Sequence, residues 1–236
     1  MGLIDRFRSG RDEVATTRSA LDAADEGDHD PGAIDRLVTM LVDVGIEGRG
    51  PLMSAERLAE QALTKAGGDR EKAIGALART ATAKGGVGGF VTGLGGFVTM
   101  PVALPVNVAE FYLLAVRMVG GIATLRGYDV SEPRVRTAVL LTLVGSDADE
   151  VLAKAGMTTG TARVATTALK GLPPAALMVV NKAVGFRIAR GVSEKVFAKL
   201  GRGIPLAGGM VGGGLDVWMM KKIADHAMEE FPPLAQ

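Results

Sequence analysis

The apolar positions of this chain recur with helical spacing. Ile34, Leu37, Val38, Leu41 and Ile46 follow one another at i, i+3, i+4, i+7 and i+12, which predicts an amphipathic helix. Leu52, Leu58, Ala59, Ala62 and Leu63 predict a second, closed by Gly67-Gly68. Asp69 is placed to cap a third helix carrying Ile74, Leu77 and Ala81. Further on, Pro101 and Pro105 disfavour helical backbone at Met100 and Leu104. The spacing therefore predicts a break there, with Pro105 opening a new helix that runs to Gly127. After the turn at Tyr128-Asp129, Ser131 and Pro133 start a helix bearing Val135, Val139, Leu140 and Leu143. Shorter helices are expected over 147–155 and 161–169, and a long one from Pro173-Pro174 to about Leu200. A last helical element follows the interruption at Gly201–Pro205. No stretch alternates as a strand would. The expected fold is all-α, a compact multi-helix bundle, with residues 1–30 as an arm and acidic linker and residues 31–236 as a single helical domain.

Two segments depart from this pattern. From Gly85 the chain reads GGVGGFVTGLGGFVTMPVALPVN, with seven glycines in its first twelve residues and no charge. Each glycine inside a helix costs about 1 kcal/mol relative to alanine, so a helix here needs compensation elsewhere. Gly85, Gly89 and Gly93 lie four apart on one helical face, and Gly208 and Gly212 repeat the spacing near the C-terminus. Small residues at i and i+4 let two helix backbones approach closely, in bundles and in membranes alike. A packed seam, a membrane-embedded hairpin and a glycine loop all remain open. A complete span fits less well. A helix over 85–100 would be only about 24 Å long against a hydrocarbon core of about 30 Å. The following helix carries Glu110 and Arg117, each costing roughly 2.5–3.5 kcal/mol near a bilayer centre on insertion scales.

Composition narrows the function classes. The 236 residues are 47% hydrophobic but only 4% aromatic, and a mean hydropathy of +0.25 is high for a freely soluble protein. A net charge of +1 gives no global field that would draw the chain to nucleic acid. The absence of cysteine excludes thiol chemistry and suits a reducing cytoplasm. At the N-terminus, Leu3, Ile4 and Phe7 form an apolar stripe beside Arg6, Arg8 and Arg11, which suits either an amphipathic foot on a membrane or a packing arm. The start has neither a signal-peptide core nor the Ser or Thr at position 6 that myristoylation requires.

The usual catalytic constellations are missing. Neither glycine run contains a Walker or dinucleotide fingerprint, the two histidines (His29 and His226) sit in no metal motif, and no serine occupies a nucleophile elbow. The expectation is therefore no catalytic residue, no metal and no cofactor, with His226 on a polar helix surface. Asn107, Glu110 and Arg117 share one face of an apolar helix, and Asp216 follows the second glycine run. Buried charges need partners, so these four are expected to form an internal polar pair, Arg117 with Asp216, or to line a polar cavity. Lys182, Arg187, Arg190, Lys195, Lys199 and Arg202 face a single acid, Glu194, over one segment. They fit a lipid-facing basic surface or a solvated face equally well.

Three blocks resemble the EcsC family of bacterial proteins. They are the glycine run leading through Pro to Asn107, the helix with Arg117 and its Gly127-Tyr128-Asp129 turn, and the late AKLGRGIPLAGGMVGGGLD. Together they span about Lys84 to Phe231. Family members often carry Asp where Asn107 stands and Asn where Asp216 stands, which weakens a charged role for position 107. The resemblance implies an apolar helical protein at or near the cytoplasmic membrane, of a family named from an operon with an ABC transporter, and it transfers no catalytic residues. The expected function is accordingly non-enzymatic. The protein would sit peripherally on the inner face of the membrane, with membrane lipid or a membrane protein as partner. The alternative is a soluble, homo-oligomerising scaffold that binds a partner helix.

Overall fold

The computed structural model describes residues 31–49, 52–94, 96–144 and 205–234, together with Ala148, Ala153, Pro173, Val180 and Val184. Six α-helices run through these residues, and no strand occurs among them. They are α1 (Pro31–Glu47), α2 (Ala55–Lys65), α3 (Arg70–Leu94), α4 (Gly96–Leu125), α5 (Pro133–Val144) and α6 (Pro205–Glu230). The chain is all-α, as its periodicity predicts. The expected helices over 147–155, 161–169 and 173–200 lie outside the described residues, apart from single helical positions at Ala148, Ala153, Val180 and Val184.

Local chemistry sets the helix ends. Ser54 accepts a hydrogen bond from the Arg57 N–H at 3.2 Å and caps α2. Asp69 does the same for α3, accepting from the Lys72 N–H at 3.0 Å. Between them the N–H groups of Gly67 and Gly68 bond back to the carbonyls of Thr64 and Leu63, satisfying the last turn of α2.

The third helix continues through the glycine run to Leu94. One expectation is corrected here, since the break expected at Met100 and Leu104 does not occur. α4 is helical from Gly96 to Leu125 with Pro101 and Pro105 inside it, and the chain changes element between Leu94 and Gly96. The proline rule weighs one lost hydrogen bond and one clash per ring. α4 also packs on all five other helices, and tertiary packing of this kind supplies most helical stability in proteins.

Two cross-contacts give the direction of α3 and α4. Arg126, just past the end of α4, pairs with Glu71 at the start of α3. A methyl group at Gly121 would meet Leu77 Cδ2 at 2.7 Å. The two helices are therefore antiparallel. α6 is antiparallel to α3 as well, since Gly85 faces Asp216 and Met220 while the chain after α6 returns to Arg126. Ile74, Met118, Ile122, Leu141, Met220 and Phe231 are almost wholly enclosed between the helices. Burying each such side chain contributes about 1.5–3 kcal/mol.

Candidate functional site

The bundle has two chemically different ends. At one end the turn after α4 closes over the C-terminal tail. Gly127 adopts φ +95°, a conformation that side chains resist, and this lets the Tyr128 N–H reach back to the Ala123 carbonyl at 3.0 Å. Tyr128 then meets Phe231 edge-to-face at 5.3 Å and donates its hydroxyl to the Pro232 carbonyl. The Leu234 N–H bonds the Arg126 carbonyl at 3.0 Å, and Asp129 accepts from both the N–H and the hydroxyl of Ser131. The Gly-Tyr-Asp segment is thus a clasp that fixes α6 to α4. The hydrogen bonds of both its side chains end on the chain's own atoms.

The opposite end gathers the glycine runs. Because α3 is antiparallel to both α4 and α6, residues 85–94, 96–109 and 205–215 lie together there, and none of them is charged. Their inner limits coincide. Lys84 precedes Gly85, which faces Asp216 and Met220 of α6. Glu110 precedes Gly121 by eleven residues, so with Leu77 opposite Gly121 it stands across from residue 88 of α3, about one turn beyond Lys84. Lys84 and Asp216 therefore share a level, Glu110 stands about one turn beyond it, and past Glu110 all three helices are uncharged.

At this level α3 and α6 approach closely. A methyl at Gly86 would lie 2.5 Å from Val217 Cγ2 and 3.6 Å from the Gly213 carbonyl, whereas one at Gly85 would rest 3.4 Å from Met220 Cε. Of the five seam glycines, Gly85 therefore stands in loose contact and its neighbour Gly86 in the tight one. Gly89, Gly93, Gly208 and Gly212 are helical, and their surroundings lie outside the described residues.

The three polar candidates described with their side chains, Glu110, Arg117 and Asp216, are not gathered into one cluster. Arg117 donates Nε and Nη2 to the Met53 carbonyl, at 3.2 and 2.9 Å, holding the loop between α1 and α2. Burial lowers its pKa from the ordinary value. The expected pairing with Asp216 is thereby corrected, since no ion pair joins the two residues among those described. Asp216 is buried on α6 against α3, and Glu110 is exposed. The side chain of Asn107 lies outside the described residues. A cavity of about 420 Å³ runs along α1, lined by Arg36, Met40, Asp43 and Glu47, and Glu110, Arg117 and Asp216 do not border it. Two of its acids are held by Arg136, which reaches Asp43 at 3.0 Å and Glu47 at 2.6 Å.

Several informative residues escaped the spacing argument. Trp218, the chain's only tryptophan, is 54% exposed on α6 with Lys222 Nζ 4.5 Å above its ring. Exposed Leu215 and Val217 flank it. An apolar residue in an amphipathic helix reads as core from sequence, and only the orientation of α6 shows otherwise. His226, expected on the surface, is half-buried with its Nε2 enclosed and unpartnered. Leu3, Ile4 and Phe7 of the N-terminal foot, and Lys182, Arg187, Arg190, Lys195, Lys199 and Arg202 of the basic run, lie outside the described residues.

The EcsC protein family model matches residues 32–232, from the first turn of α1 to the residue clasped by Tyr128. The chain belongs to the EcsC family. No curated protein and no solved structure matches it. The EcsC match encloses both bundle ends, so the clasp and the uncharged end both fall within the family's domain. Among the described residues no helix is long and apolar enough to cross a membrane.

Proposed function

We propose that this EcsC family chain is a non-enzymatic, peripheral protein of the cytoplasmic face of the membrane, which binds lipid through the uncharged end of its bundle and there assists a membrane component such as a transporter. The observation carrying this reading is that Lys84, Glu110 and Asp216 lie within about one turn of the same level. Three helices lose their charges within that narrow band, as a lipid boundary demands and a solvated helix end does not. At 1.5 Å per residue the uncharged ends are about 15–21 Å long. That is near one leaflet of a hydrocarbon core about 30 Å thick. Lys222 adds exposed positive charge close to the boundary, Lys221 being paired with Asp225.

Flotation of the full-length protein with phosphatidylcholine vesicles, with and without phosphatidylglycerol, tests the reading at low and high salt. The protein should float, more strongly with the anionic lipid, and a residue of binding should survive high salt because apolar insertion is not screened. A protein that stays at the bottom of the gradient with every vesicle overturns it. A defined oligomer without lipid affinity would instead favour the soluble scaffold, with the exposed Leu215, Val217 and Trp218 as its contact.

A further inference from the structure

The outward face of α6 identifies the side chains that would meet the lipid. Gly213, Asp216, Met220, Ile223, Ala224 and Ala227 are buried against the bundle, while Leu215, Trp218, Lys221 and Lys222 point away from it and Val217 lies at the edge, partly exposed and against Gly86 of α3. Along this face the exposed residues change from apolar to cationic within two turns, and Trp218 sits at the change. An amphipathic ring at such a position is what a membrane–water interface selects, since its body prefers the acyl boundary and its N–H remains hydrated.

We propose that Trp218 is the interfacial anchor of a site for an anionic phospholipid surface. The indole lies at the headgroup–acyl boundary with Leu215 on its apolar side. Lys84 and Lys222 meet the lipid phosphates, and the uncharged ends of α3, α4 and α6 reach no deeper than one leaflet. Charge complementarity argues for this occupant. Near this level the exposed charges are those of Lys84, Lys221 and Lys222 against Glu110, and Lys221 holds the half-buried Asp225 at 2.6 Å, so Lys84 and Lys222 outnumber the one exposed acid. This inference rests on the membrane-binding reading above, and its test separates the two.

Because Trp218 is the only tryptophan, emission of the intact protein reports this one position. On adding phosphatidylcholine–phosphatidylglycerol vesicles the emission should shift to the blue, and bromine placed high on the acyl chains should quench it more than bromine placed near their ends. Lys84→Gln and Lys222→Gln should each weaken binding about fivefold at low salt. Trp218→Ser should weaken it about tenfold with helicity unchanged, and Trp218→Phe should do so less. Co-sedimentation with unmoved emission, and with iodide quenching as in buffer, overturns the anchor and leaves membrane binding standing. Failure to co-sediment at all removes both. A blue shift that grows with protein concentration in lipid-free buffer, alongside a dimer mass, assigns the face to a second copy and overturns the proposal.

Discussion

The hydroxyl of Tyr128 donates to the backbone carbonyl of Pro232 at 2.9 Å, joining positions 104 residues apart. The bond belongs to a small closed system. Phe231 is fully buried beneath the Tyr128 ring, and Leu234 returns its N–H to the Arg126 carbonyl. Tyr128→Phe removes the hydroxyl and keeps the ring, so it should lower stability by about 1 kcal/mol. Tyr128→Ala also removes the ring contact and should cost roughly 3 kcal/mol or more. Urea unfolding midpoints measure both, and a Phe variant as stable as the parent would show that the hydroxyl bond does not secure the tail.

Local signals made the fold legible where one residue decides one bond. Asp69 reads as a cap because a carboxylate before an apolar helix can accept its first free N–H groups, and Lys72 N–H is where that bond is made. Pro101 misled because its cost is local while the packing that outweighs it comes from α3 and α6, distant in sequence. Arg117 reads as a charge needing a partner, but any acceptor satisfies that need, and a backbone carbonyl at Met53 leaves no trace in residue types. Trp218 was silent for a third reason, since helical periodicity groups residues into faces without saying which face meets the core.

The glycine contacts separate two neighbouring substitutions. Gly86→Ala would place a methyl 2.5 Å from Val217 Cγ2. Valine is stiff at χ1 and cannot swing aside, so a loss of about 1–3 kcal/mol is expected. Gly85→Ala meets the flexible end of Met220 at 3.4 Å, with Met220 Cβ and the Asp216 carbonyl at ordinary contact distance, and should be neutral or gain up to about 1 kcal/mol from helix propensity. Thermal unfolding of the two variants side by side decides the matter. Equal melting temperatures would mean that α3 and α6 are not held at this separation.

Arg117 links α4 to the loop that carries the cap of α2. Its two bonds to one carbonyl need a guanidinium, so Arg117→Lys should recover only part of the interaction and Arg117→Met none. A charge-assisted bond of this kind contributes roughly 1.5–3 kcal/mol, and the Met variant should lose a figure in that range. Amide exchange at Ser54 and Ala55 should quicken in step. Unchanged exchange there, with stability also unchanged, would show that the loop holds itself.

The turn following Tyr128 carries a pH signature. Asp129 accepts from the Ser131 hydroxyl at 2.6 Å and from the Ser131 N–H at 2.8 Å. The hydroxyl bond first, and the backbone bond second, hold its carboxyl below its ordinary value of 3.8. Folding thus favours the ionised form, and the sign follows. The contribution is complete above the unfolded value, about 3.9, and is lost as the pH falls through the lowered folded value. Asp129→Asn carries no such charge, so its stability deficit relative to the parent should be constant between pH 5 and 8 and shrink below about pH 4. Urea midpoints at pH 7, 5 and 3 measure that difference. A deficit as large at pH 3 as at pH 7 would mean that the amide's shape, and not the missing charge, destabilises the turn.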